Sequence, residues 1–239
     1  TVVASLKGWV RALKGHEVDP ATLQFKPGDG LYGVFPCRSV DALVVLGSNG
    51  RAYSVAVSLL PGGRGDGAPI TTLIDLEAGT TVAHYHAGSG EATLLLAGTG
   101  GFGLLAKAGD LHSRQRGGKT FLTLEAGEHV LPPGVVEPAH RQVACLTLGG
   151  RLLVFPLDEL KLQAKGGRGL TLVGLDGPKD ALVSVATFAE LLRVTGVSLR
   201  GAKPRDETLK PAALEPHVGR RARKGRAVDG MKAQRVLAA

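Results

Sequence analysis

Five stretches of this chain repeat one hydrophobic pattern: an apolar run, a short turn carrying glycine, and a second apolar run. They are residues 2–13 (VVASLKGWVRAL), 42–55 (ALVVLGSNGRAYSV), 92–106 (ATLLLAGTGGFGLLA), 143–155 (VACLTLGGRLLVF) and 191–201 (LLRVTGVSLRG). The expected turn glycines are Gly8, Gly50, Gly101, Gly150 and Gly196, spaced by 42, 51, 49 and 46 residues. Two β-rich runs around a glycine turn are the signature of a hairpin. The runs are too short and too β-branched for the 3.6-residue period of a helical repeat. Only residues 187–193 read as a helical turn.

A second shared element comes about 15 residues after the later hairpins, a loop rich in glycine and cations. It reads GGRGDG at 62–67, RQRGGK at 114–119 and KGGRG at 165–169, with GRRARKGR at 219–226 after a longer connection. The first repeat has the reduced version Lys14-Gly15-His16. A strand-like run comes next, at 70–76 (ITTLIDL), 120–126 (TFLTLEA) and 170–175 (LTLVGL), then a turn such as 77–79 or 132–134. One unit is four strands over about 47 residues, repeated five times. Fixed-period four-stranded units are the blades of a propeller. The expectation is an all-β chain forming a single domain over 1–239, with 219–239 as the last blade's basic loop and tail.

Composition supports this and narrows it. The 239 residues are 44% hydrophobic and 21% charged, ordinary globular values that exclude global disorder. No apolar run approaches the roughly 20 residues that cross a bilayer. The start, TVVASLKGWVR, lacks the charged-then-apolar order of a secretory signal, and the chain begins without Met, as a fragment does. The 35 glycines show no collagen period and imply many tight turns. Cys37 and Cys145 are expected as reduced core thiols of a cytosolic protein. The net charge of +8 is uneven: residues 1–199 hold 18 basic and 17 acidic residues, whereas 200–239 hold 11 and 4.

Glycines let a backbone approach phosphate closely, and Arg or Lys neutralises it. Loops recurring at equivalent blade positions would share one rim and form a cationic track for a duplex. The expected DNA contacts are Arg11, Lys14, Arg64, Arg114, Arg116, Lys119, Lys165, Arg168, Arg220, Arg221, Arg223 and Lys224. No catalytic or metal-binding constellation is expected. The GKT at 118–120 lacks the earlier glycine of a phosphate-binding loop, because Ser113 stands there. Gly101-Phe-Gly103 with Ala106 joins two strands, not a strand and a helix. His84 and His86 alternate on one strand face without a third ligand and are expected on an exposed polar face. Trp9, the single tryptophan, is expected to pack between blades.

Residues 8–19 (GWVRALKGHEVD) with 25–29 (FKPGD) resemble the opening of the C-terminal domains of the bacterial gyrase A/ParC family. Further matches are 49–53 (NGRAY), 116–119 (RGGK) before a strand, 129–133 (HVLPP), 150–156 (GRLLVFP) and 165–169 (KGGRG). The resemblance covers about residues 1–190; the last 45 match mainly through 219–226. It implies a five-bladed β-pinwheel, with four-stranded blades that exchange strands, in a ring that is open or closed. It also implies a non-catalytic domain that binds duplex DNA without sequence preference. Such a domain positions the transported segment and biases topology in decatenation, supercoil relaxation and chromosome segregation. The family's catalytic tyrosine lies in an N-terminal region, so Tyr32, Tyr53 and Tyr85 have no such role. ATP and Mg2+ are used elsewhere in the family enzyme, and no cofactor is implied in this domain. The implied partners are double-stranded DNA, the ParC cleavage core and ParE in an A2B2 assembly, and chromosome-organising proteins. The implied location is the cytoplasm, at the nucleoid, with peripheral membrane association left open.

Gyrase A carries a QRRGGKG box in its first blade that supports DNA wrapping. Here the first blade has only residues 14–16, and the nearest box, 114–120, lies in the third unit and ends in Thr120. That departure favours the ParC branch over a gyrase wrapping domain. A reading of another class, a protein-docking propeller, is favoured by the net charge of only +1 on residues 1–199.

Overall fold

A computed structural model of the chain describes residues 1–63, 65–201 and 203–239. Arg64, one of the expected contacts, lies outside the described residues. In chain order the strands are β1 (Val2–Ser5), β2 (Trp9–Ala12), β3 (Leu31–Phe35), β4 (Ala42–Gly47), β5 (Arg51–Ala56), β6 (Ala68–Pro69) and β7 (Val82–Gly88). There follow β8 (Thr93–Ala97), β9 (Phe102–Lys107), β10 (Lys119–Thr120), β11 (Gly134–Val136), β12 (Gln142–Thr147), β13 (Arg151–Pro156) and β14 (Leu170–Thr171). The last are β15 (Leu182–Phe188), β16 (Leu192–Ser198), β17 (Pro204–Leu209), β18 (Arg226–Ala227) and β19 (Met231–Ala238). Among the described residues the one α-helix, α1 (Pro211–Leu214), is a single turn.

All sheets are antiparallel. Four have four strands, in the orders β3-β1-β2-β6, β10-β5-β4-β7, β11-β8-β9-β14 and β15-β12-β13-β18. The fifth, β17-β16-β19, has three strands among the described residues, where four were expected. In each four-stranded sheet the strand beside the second hairpin strand comes from beyond the next hairpin, so consecutive repeats exchange strands. The first four hairpins close as predicted. Gly8 donates its N–H to Ser5 (3.1 Å), Gly50 to Gly47 (2.9 Å), Gly101 to Gly98 (3.1 Å) and Gly150 to Thr147 (2.9 Å). All four glycines have left-handed φ, the geometry of a three-residue hairpin loop that ends in a glycine bulge.

The fifth hairpin differs from expectation. Gly196 lies inside β16, where the ladder with β19 shifts register between Thr195 and Gly196. A Cβ there would strike the carbonyl of Lys232, so this glycine serves a bulge. β16 runs on to Ser198 and β17 begins at Pro204, with Gly201 at φ 86° between them. Residues 187–193 form no helix: β15 runs through Phe188 and β16 begins at Leu192. The strand-like runs after the basic loops barely pair: 170–175 contributes the two residues of β14, 120–126 only Thr120 of β10, and 70–76 follows the two-residue β6 with a 3-10 turn at Ile70–Thr72. Their remaining apolar residues, Ile70, Ile74, Phe121, Leu122, Leu172 and Val173, are buried anchors rather than ladder members.

The chain forms two compact units: Thr1–Ala92 with Lys107–Phe121, and Thr93–Ala106 with Leu122–Ala239. In the first, Val2, Ala4 and Val10 of one sheet pack against Leu43, Val45, Tyr53 and Val55 of the next. In the second, β12 serves two interfaces. Val143 and Cys145 face a core with Leu95 and Leu105, while Ala144 and Leu146 face Leu192, Val194 and Val236. Burial on both faces explains why these strands read as unbroken apolar runs. Residues 219–239 are not a tail: β18 and β19 belong to sheets, and Met231, Ala233 and Val236 are buried. Both cysteines are free thiols, Cys145 buried and Cys37 half-buried.

Each exchanged strand is seated by one glycine. Gly67, Gly118, Gly169 and Gly225 immediately precede β6, β10, β14 and β18. A Cβ on any of them would strike backbone of the strand being joined, at Val10, Ala52, Gly103 and Leu152 respectively. Those same four residues are the ladder partners of the residue just after the glycine. Gly67→Ala is expected to destabilise the first unit by at least about 2 kcal/mol, because collision adds to left-handed strain. Gly79→Ala has left-handed φ but open space around it and should cost only about 1 kcal/mol. Urea unfolding followed by Trp9 fluorescence compares them. Equal shifts would show that the close approach does not hold the strand.

Candidate nucleic-acid interface

Because each basic loop runs directly into an exchanged strand, the seating glycine fixes the loop's end against the preceding sheet. A second tie recurs two residues earlier. The carbonyl there accepts a backbone N–H: Arg116 from Asp75, Gly167 from Thr123 and Arg223 from Gly174, each at 3.0 Å. Main chain therefore ties each of these three loops at two points.

The expected contacts divide into three groups. Arg11 and Arg221 are structural. Arg11 is only 8% exposed, and its guanidinium donates to the carbonyls of Gly65 and Gln24 and lies 5.7 Å over the Phe25 ring. It staples the 62–67 loop and is not placed to meet a phosphate. Arg221 is half-buried and donates to the Thr171 carbonyl at 2.7 Å, while its backbone N–H donates to Glu159.

The second group is already paired. Arg116 donates to the Thr72 carbonyl (2.9 Å) and lies 3.2 Å from Asp75. Arg168 donates to both carboxylate oxygens of Glu128 (3.1 and 2.9 Å), lies 3.3 Å from Glu125 and stacks 4.0 Å over Phe102. Lys224 holds Asp176 at 2.6 Å. Lys119 is half-buried with its ammonium 5.8 Å from the Phe121 ring. The third group, Lys14, Arg114, Lys165, Arg220 and Arg223, is exposed and forms no ion pair among the described residues.

Sequence reasoning missed the residue after each hairpin glycine: Trp9, Arg51, Phe102 and Arg151. A cation sits at this point in all four sheets. Arg51 donates to the carbonyls of Gly117 (2.8 Å) and Gly118 (3.1 Å), and Arg151 to that of Gly225 (3.2 Å). Phe102 carries Arg168, and Trp9 carries the Lys26 ammonium at 3.4 Å. Trp9 is thus a half-buried cation platform rather than a packing residue between blades. The signal lay in the fixed position after a recurring glycine, where aromatic and Arg alternate.

The histidines differ from expectation too. His86 is buried, and burial pushes its pKa down; its Nε2 has no hydrogen-bond partner. The Nδ1 of His84 is 3.0 Å from the Tyr32 hydroxyl. Among the described residues no three His, Cys, Asp or Glu side chains form a metal-sized cluster. Among the described residues no helix is long and apolar enough to cross a membrane.

The family model described as DNA gyrase C-terminal domain, beta-propeller, matches residues 141–189. The A subunit of DNA topoisomerase 4 from Salmonella typhimurium strain LT2 is 33% identical over 234 residues, 97% of this chain and 31% of that protein. Its Neisseria gonorrhoeae counterpart is 35% identical over 235 residues, 93% of this chain and 30% of that protein. This chain therefore spans about a third of the length of these curated relatives. The solved structure of the E. coli ParC C-terminal domain superposes with a TM-score of 0.86 at 32% identity, covering 98% of this chain and 96% of that one. A DNA gyrase A C-terminal domain superposes with a TM-score of 0.63 at 17% identity, covering 94% of this chain and 75% of that one, a likeness of fold alone.

Glu128 gives the interface a pH dependence. Burial pushes its carboxyl up, but hydrogen bonds from Arg168 and the Glu125 backbone, with the Arg168 charge, outweigh this and hold it below the usual range. A depressed folded pKa contributes stability above the unfolded value of about 4.3 that is lost as pH falls through the folded one. Glu128→Gln should lower stability by about 1 kcal/mol at pH 7 and leave it unchanged near pH 3. Urea midpoints at the two pH values check this; a loss of equal size at both would assign the effect to packing.

Proposed function

We infer the function from the family: the chain belongs to the C-terminal domains of ParC, the A subunit of DNA topoisomerase IV, and its fold is the β-pinwheel. It acts over residues 1–239 as a non-catalytic module that holds duplex DNA through phosphates, without reading sequence. In the whole enzyme it would present a transported duplex to the ParC cleavage core, which works with ParE, and so bias decatenation and supercoil relaxation at the nucleoid. The observation that carries this reading is the recurrence of main-chain-anchored loops bearing exposed cations with no ion partner among the described residues, Arg114, Lys165, Arg220 and Arg223, beside the exposed Lys14 of the first repeat. A phosphate backbone is the regular anion that such repetition fits, and contacts to phosphate position a duplex without reading it.

A truncation at residue 219 cannot test this, since it removes β18 and β19 and the buried Met231 and Val236. The test is Arg220→Ala with Arg223→Ala, and separately Arg114→Ala with Lys165→Ala, read by duplex anisotropy from 50 to 200 mM salt. Removing one phosphate-binding cation should reduce the slope of log K against log salt by about 0.9. Unchanged slopes in both variants would remove these loops from the interface. Absence of salt-dependent binding in the parent chain would leave protein docking as the reading.

A further inference from the structure

The carboxylates beside the basic loops occupy recurring places. After each of β6, β10 and β14 the chain makes a turn whose acidic residues reach a loop cation. Asp75 reaches Arg116 (3.2 Å), Asp176 reaches Lys224 (2.6 Å), and Glu125 reaches Arg168 (3.3 Å), which the less exposed Glu128 holds more closely through both oxygens. Asp176 also holds Arg151 at 3.3 Å, and Glu77 lies 3.9 Å from Arg51. These turns contain glycines of left-handed φ at 79, 127 and 177. The first repeat has the same kind of turn, with Gly28, but the charge is reversed. Two residues before the glycine stand Lys26, Glu77 and Glu125. Lys26 rests on Trp9 instead of facing a carboxylate.

We propose that Asp75 and Asp176 latch Arg116 and Lys224, so that duplex DNA first engages the unlatched Lys14, Lys26, Arg114, Lys165, Arg220 and Arg223 and recruits the latched cations only by exchanging carboxylate for phosphate. The inference rests on the DNA-binding reading above. Its energetics are suited to exchange. Asp75 and Arg116 are 65% and 58% exposed as side chains, and Asp176 and Lys224 are 44% and 58% exposed. Exposed pairs of this kind are weak, and a phosphate diester competes with them on equal terms. A loop cation therefore contributes nothing to the salt slope until its carboxylate is displaced. Grip would grow from the unlatched cations toward the latched ones as more phosphate comes into reach, which grades the binding along the repeat series.

The experiment uses the 239-residue chain with Asp75→Asn and Asp176→Asn combined. The control variant, Glu17→Gln with Asp158→Asn, makes the same change in net charge at exposed acids outside the ion pairs. Duplex anisotropy is read across salt. The latch variant should bind about 10-fold to 30-fold tighter with a steeper slope, by roughly 0.9 for each cation released, while the control changes affinity less than about threefold. The decisive comparison adds Arg116→Ala. It should reduce the slope of Asp75→Asn by about 0.9 and the parent's slope by clearly less. An equal effect of Arg116→Ala in both backgrounds would overturn the latch while leaving DNA binding intact. So would equal tightening by the latch and control variants. No salt-dependent binding by any form would overturn the DNA-binding reading itself.

Discussion

The structure depends on a backbone-to-backbone contact that only glycine permits. Gly67, Gly118, Gly169 and Gly225 each lie against the second strand of a hairpin, and each releases a two-residue strand onto that hairpin's edge. Two ladder residues are too few to hold a strand by hydrogen bonding. The buried residues just beyond, such as Ile70, Phe121 and Leu172, supply the rest through apolar burial. The glycine sets position and the hydrophobe holds it. The loop on the other side of the glycine inherits this placement. A basic loop is thus anchored by the short strand and buried hydrophobe on its C-terminal side, which is why its own residues can be so rich in charge.

That arrangement divides the loop cations between two demands. An arginine near the seating glycine can satisfy carbonyls that the sharp turn leaves without partners, as Arg51 and Arg151 do from the preceding sheet and Arg11 and Arg221 do closer by. Arg suits this because its planar fork reaches two acceptors at once. A cation committed in this way is lost to solvent anions. Those left over, Lys14, Arg114, Lys165, Arg220 and Arg223, stay exposed with no ion partner among the described residues. Counting Arg and Lys in a loop therefore overstates its capacity for phosphate, and only the geometry of each side chain separates anchor from contact.

The hairpins, their period and the basic loops were legible in the sequence because each has a local cause. A left-handed turn needs glycine at Gly8, Gly50, Gly101 and Gly150, and burial on both faces needs unbroken apolar runs. The fifth hairpin misled because Gly196 meets a different local need, the close passage of β19 at a bulge, and a glycine alone does not say which need it serves. The exchanged strands were misjudged in extent, since buried anchors and ladder residues look alike as apolar letters. The candidate site was legible as a set of loops but not as a set of contacts. Nothing local to Arg11 reveals that Gly65 and Gln24 claim its guanidinium, and nothing local to Arg168 reveals Glu128, 40 residues away.

Local pairing also accounts for the near-neutral balance of residues 1–199, which taken alone favours a docking scaffold over a DNA-binding surface. Net charge governs the field at distance, yet beyond a Debye length of about 8 Å at physiological salt that field is largely screened. What a phosphate meets is the local arrangement. Several of the acidic residues there sit in turns or hold main-chain N–H groups. Asp29 accepts from Ser5 and the backbone of Lys7 and Gly30, and Asp180 accepts from the backbone of Gly149, Asp176 and Ala181. Their charge is directed inward by these bonds, which hold both carboxyls below the usual range against the opposing effect of burial. Meanwhile Lys14, Arg114 and Lys165 are exposed and unpaired by any carboxylate among the described residues. A segment whose summed charge is small can therefore present cations to an anion wherever its carboxylates are engaged by its own backbone.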